Sequence, residues 1–167
     1  MIMTLKLIYS LFIGVLFSAL VGFGIAAFYV TPKEPEYPSE LKVARPEERV
    51  SESVFIELKS KQAKYDEDFK AFQGKMETYS RNVALIAISA SVVTLVVSLT
   101  FFKRILLIAD GLLLGGVLTL LYSIVRGLAS GSDKFRFVLV AAAFIIAVIL
   151  GYVKLIKAEV KPRFKRR

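Results

Sequence analysis

Apolar positions along the chain follow two different rhythms. In four stretches they succeed one another with almost no charge, whereas between the first and second of these they recur every three or four residues among charged neighbours. Residues 7–30 and 82–102 contain no charged side chain, and 105–125 holds Asp110 alone. The fourth stretch, 137–153, is shorter and reaches spanning length when Arg136 and Lys154 snorkel their charged ends into the headgroups. A helix rising 1.5 Å per residue needs about 20 apolar residues to cross roughly 30 Å of hydrocarbon, with its backbone polar groups satisfied internally. The pattern therefore predicts an all-α integral membrane protein with four transmembrane helices, at 1–30, 82–102, 105–126 and 134–156.

The spaced pattern predicts an amphipathic helix over 51–81. Phe55, Leu58, Tyr65, Phe69, Phe72, Met76 and Tyr79 form a stripe broken only by Gln62, and its phase continues through Val83, Ile86, Ala90, Val93 and Val97. The stalk and the second membrane segment are thus expected to be one helix, extending outward from the membrane by about 45 Å. Acid-before-base pairs at Glu57 and Lys61, Asp66 and Lys70, and Glu77 and Arg81 support it. An aromatic stripe of this length needs a cover. The candidates are a coiled-coil seam with other copies, a different protein, lipid headgroups, or the preceding segment folded back over it.

That preceding segment, 31–50, reads as a Pro-rich extracytoplasmic spacer. Pro32, Pro35 and Pro38 share one side of a polyproline II helix, a geometry suited to an aromatic groove or simply to a stiff linker.

Charge sets the expected orientation. Lys6, Lys103 and Arg104 fall on the same side as Lys154 and the basic tail over 157–167, where Lys157, Lys161, Arg163, Lys165, Arg166 and Arg167 face a single Glu159. The short link opposite offers only Arg126, Lys134 and Arg136. Both termini are therefore expected in the cytoplasm, with the 31–81 loop outside, and the tail is expected to meet anionic lipid headgroups. The long loop carries ten basic and eleven acidic residues, so the net charge of +9 is a cytoplasmic-edge feature. Residues 1–30 also admit a signal-peptide reading, with cleavage near Gly24, Ala26 and Ala27, although the apolar run exceeds the usual signal-peptide core.

Within the spans, close helix approach depends on small residues. Gly111 and Gly115, continued at the same spacing by Ala143, Ala147 and Gly151, are expected to pack the third and fourth segments against each other or against another copy. Asp110 is expected to pair with Lys103, Arg104 or Lys154, or to handle a proton or cation. Ser89, Ser91, Thr94 and Ser98 are expected to bond their own helix.

The chain contains neither cysteine nor histidine, which removes disulfides, thiolate chemistry, imidazole bases and the usual zinc and haem ligands. Phosphate-loop, HExxH, GxSxG and EF-hand spacings are missing. Gly22, Gly24 and Ala27 match a dinucleotide-binding spacing, but inside an uncharged run without the required strand. No catalytic residue, cofactor, metal or nucleic-acid partner is expected. The leading expectation is a non-enzymatic membrane assembly or accessory protein whose stalk serves oligomerisation or partner binding. The alternative is a small channel or transporter subunit using Asp110. Short loops and the absence of an Asn-x-Ser/Thr acceptor favour a prokaryotic cytoplasmic membrane.

Overall fold

The computed structural model describes residues 2–43, 52–100 and 105–156. Five α-helices run in order: α1 (Ile2–Phe28), a short α2 (Ser39–Val43), α3 (Glu52–Thr100), α4 (Leu106–Leu128) and α5 (Asp133–Gly151), the last continuing into a π-helical turn, Tyr152–Ile156. Among the described residues there is no strand. Among the described residues, four helices are long and apolar enough to cross a membrane.

The predicted fusion of stalk and second segment is present: α3 is a single helix of 49 residues, about 74 Å long. Its N-terminal half stands beyond the bundle, and its buried residues begin only at Tyr79 and Ser80. Gly74 does not interrupt it. The Thr78 hydroxyl donates to the Gly74 carbonyl at 3.1 Å, a bond from residue i to i−4.

α4 is the central helix, packed on α3 to one side and α1 to the other, while α5 is held more loosely. The α3–α4 contact is built from small residues at heptad spacing. Ser98 donates to the Ala109 carbonyl at 2.6 Å, Ser91 to the Gly116 carbonyl at 2.8 Å, and Ser123 back to the Ala84 carbonyl at 3.1 Å. Positions step down α3 through 98, 91 and 84 as they step up α4 through 109, 116 and 123, so the helices are antiparallel in constant register. A seven-residue repeat keeps one seam facing its neighbour along both helices. Large side chains would hold the backbones apart, so the small ones let each hydroxyl reach the opposite carbonyl.

The sequence-based expectation for the serines thus holds in part. Ser89 and Thr94 bond carbonyls of their own helix, Leu85 and Ala90, whereas Ser91 and Ser98 cross to α4. Ser91 and Ser98 lie on the closed seam, and there the carbonyl of the neighbouring helix is within reach.

Gly111 and Gly115 do give a close approach, but to α1 rather than α5. A Cβ on Gly111 would lie 2.8 Å from Ile13 Cβ and 3.2 Å from the Ser10 carbonyl. One on Gly115 would lie 3.0 Å from Phe17 Cβ and 3.2 Å from the Gly14 carbonyl. Gly14 itself faces Leu114 and Gly115, so the two backbones meet glycine to glycine. On α5, Ala143 is buried, whereas Ala147 is exposed and a Cβ on Gly151 would meet open space. The α5 seam is made instead by Leu139 and Phe135 against Gly127. Between α4 and α5 the chain turns at Gly131, with φ of 70°, where the Glu77 carboxyl of α3 lies against the backbone. Ser132 then caps α5, accepting from the Phe135 amide at 3.4 Å.

Candidate interaction site

The chain that follows α1 runs back along the stalk and meets the stripe at Tyr79 and Tyr65. Tyr29 stacks on Tyr79 with ring centroids 5.1 Å apart, and Tyr37 meets Tyr65 edge-on at 5.0 Å. From Tyr65 an aromatic run continues to Phe69 at 5.8 Å and on to Phe72 at 6.1 Å. Thr31 donates to the Tyr79 hydroxyl at 3.1 Å, and Asn82 donates to the Tyr29 hydroxyl at 2.7 Å. Near the far end of the spacer, Lys61 pairs with Glu40 at 3.4 Å and with Glu57 at 3.0 Å.

Proline suits this strap for two reasons. It favours an extended chain and brings no amide needing a partner. Eleven residues from Tyr29 to Glu40 reach about 34 Å in polyproline II, comparable with about 27 Å of helix from Lys61 to Tyr79. Pro32, Pro35 and Pro38 are all half-buried while Lys33, Glu34 and Glu36 between them are exposed, as a threefold repeat requires. The aromatic groove that suits the proline face is the chain's own stalk.

Along the stripe, Tyr79 is buried, and Leu58, Tyr65, Phe69, Phe72 and Met76 are half-buried. Phe55 is different. It lies at the stalk tip between Val54 and Ile56, and the three are 60%, 44% and 62% exposed respectively.

The strap's carboxylate and its ammonium partner are shifted in mutually supporting directions. A hydrogen bond from its own backbone, followed by the Lys61 ammonium, holds the Glu40 carboxyl below its ordinary value. Hydrogen bonds to Glu57 and then Glu40 raise Lys61.

At the base of the stalk the clasp joins the bundle. Ile25, Tyr79, Val83 and Ala87 form a buried cluster, with Val21, Tyr29, Met76 and Tyr122 packed around it. The Arg126 guanidinium lies 5.4 Å from the centroid of the Tyr79 ring, a cation–π contact.

Asp110 pairs with Lys154 at 2.5 Å, joining the start of α4 to the end of α5. Lys154 is one of the three partners its sequence position allowed. It lies in the π-helical turn, and the two side chains are 49% and 40% exposed. The other expected headgroup contacts, Lys157, Lys161, Arg163, Lys165, Arg166 and Arg167, lie outside the described residues, as do Lys103 and Arg104.

Periodicity indicated the stripe but not its cover. The missed elements are Tyr29, Thr31, Tyr37, Glu40 and Asn82 of the clasp, together with the serine seam. For the clasp, the available signal was the threefold proline repeat beside an aromatic stripe of matching length. For the seam, it was the heptad of small residues shared by both helices. Compared with family models, curated proteins and solved structures, the chain matches none.

Proposed function

We propose that the chain is a non-enzymatic membrane assembly or accessory protein, a four-helix anchor presenting a stalk to another subunit. The observation that carries this reading is the single 49-residue helix whose outer end displays Val54, Phe55 and Ile56 while the rest of its stripe is clasped by the spacer. An apolar tip of this kind suits the central anchor of an interface. The apolar side chains exposed along α1 and α5, among them Leu7, Phe12, Leu20, Phe144 and Ile149, support burial in lipid. The distribution of basic residues supports cytoplasmic termini and an outward stalk in a prokaryotic cytoplasmic membrane. A channel or transporter role would call for Asp110 on a polar path. Its engagement with Lys154 favours the accessory role.

The chain has no native cysteine, so Phe55→Cys provides a unique label. On intact cells a membrane-impermeant maleimide is expected to label it. Native mass spectrometry of the gently extracted protein is expected to show a stoichiometric companion, either a second copy or one other chain. Phe55→Asp should weaken that complex by about thirtyfold, the loss of a central aromatic anchor. A wild-type monomer, or a complex indifferent to Phe55→Asp, would remove this reading.

A further inference from the structure

We infer that a groove at the base of the stalk binds the headgroup of an anionic phospholipid from the adjacent leaflet. This inference rests on the membrane placement proposed above. The groove, about 430 Å³, lies between spacer and stalk, walled by Tyr29, Val30 and Pro32 on one side and Gly74, Lys75 and Tyr79 on the other. Gly74 lines it, and a Cβ there would meet nothing within 4 Å, so a side chain can be introduced at this position without a clash.

Position and charge select the occupant. The groove opens immediately after α1 ends, where Phe28 and Val30 are 92% and 83% exposed, an apolar rim that suits acyl chains. Tyr79 and Lys75 lie three and seven residues outward from Asn82, about 5 and 10 Å along the helix axis, and thus at headgroup depth. Tyrosines with an apolar body and a polar tip favour that layer. The same end of the molecule carries Lys33, Lys75, Arg81, Arg126, Lys134 and Arg136 against Glu34, Glu77 and Asp133. Arg136 is engaged by Asp133 and Arg126 by the Tyr79 ring. Among the described residues, Lys75 has no carboxylate within ion-pair distance, leaving its ammonium available to a phosphodiester.

The test uses the full chain in nanodiscs of phosphatidylcholine containing a minor fraction of phosphatidylglycerol. Native mass spectrometry reads which lipid stays with the released protein. The wild type is expected to retain phosphatidylglycerol in excess of its bulk fraction, and Lys75→Gln to lower that retention about fivefold, the value of one basic side chain at a membrane surface. Gly74→Leu adds bulk at a lining position without removing charge and is expected to lower it as far. The basic C-terminal tail is intact in every variant and contributes a constant background.

Retention unchanged in both variants overturns the inference. Loss with Lys75→Gln alone also overturns it, because that result assigns the lysine to general surface attraction. Displacement of the lipid by excess inorganic phosphate would make the ligand a free anion and overturn the lipid assignment. Failure of the wild type to enter nanodiscs refutes the membrane placement, and the groove's lipid with it.

Discussion

Replacing Ser91 with alanine removes one rung of the α3–α4 seam without opening a large void. The Gly116 carbonyl loses a hydroxyl donor at 2.8 Å but lies within α4, whose own helical ladder supplies a partner. With the bundle in a membrane, as proposed, the cost is that of one interhelical hydrogen bond, about 0.6 kcal/mol, without the larger penalty of an orphaned group. Ser91→Leu should act differently. Ser91 is fully buried, and leucine cannot fit unless α3 and α4 separate, an overpacking cost of about 1–3 kcal/mol. Ser89→Ala is the control, since the Ser89 hydroxyl bonds only the Leu85 carbonyl of its own helix and is exposed. It should be neutral or slightly stabilising. The assay is reversible unfolding in mixed micelles of increasing sodium dodecyl sulfate content. Energy transfer is read between fluorophores on cysteines introduced at the exposed positions Val93 and Leu121. The expected order of stability is Ser89→Ala, then Ser91→Ala, then Ser91→Leu. Equal costs for Ser89→Ala and Ser91→Ala, or a tolerated Ser91→Leu, would refute the account of the seam.

Two further outcomes follow from contacts elsewhere. Gly111→Ala and Gly115→Ala should each destabilise the α1–α4 contact by about 1–3 kcal/mol, because the added Cβ meets the neighbouring Cβ and carbonyl as well as flexible side-chain ends. Gly151→Ala, directed into open space, should not; labels on α1 and α4 in the same micelle titration distinguish the cases. The clasp should also depend on pH at both extremes. The lowered Glu40 contributes above the ordinary 4.5 and loses its contribution as pH falls through its folded value. The raised Lys61 contributes below 10.5 and loses its contribution as pH rises through its own folded value. Cross-peaks between Tyr37 and Tyr65 rings in nuclear magnetic resonance should weaken modestly at both ends, both charges being exposed, and a flat response through the carboxylate range would refute the ion pair's role.

Long-range periodicity was legible because it depends on a single helix's geometry. The continuous α3 helix matches that reading, although its packed face inside the bundle runs through Ala84, Ala87, Ser91 and Ser98, and the expected continuation at Ile86 and Val93 is exposed. Partner choice was less legible. Gly111 and Gly115 read as a close-packing pair, but spacing alone does not say which neighbour fills the notch: α1 meets it through Gly14, while Ala147 of α5 is exposed and Gly151 faces open space. Serine shows the same limit. Ser89 and Ser91 are chemically identical, and only the facing helix decides which hydroxyl turns inward. The spacer's return along the stalk was one of several covers, since nothing local in Pro32, Pro35 and Pro38 favours an internal groove over a foreign one.

A helix unbroken from Glu52 to Thr100 behaves as a shaft. Its outer end carries Phe55, its middle is braced by the Tyr29 and Tyr37 contacts, and its inner end is toothed at Ala84, Ser91 and Ser98 against α4. No loop lies between the tip and the teeth to absorb a twist. A twist applied at Phe55 would reach the seam, where rotating α3 would carry Ser91 and Ser98 away from their carbonyl partners on α4. Where a jointed stalk would isolate the bundle from a twist at its tip, an unbroken one would carry it to the seam.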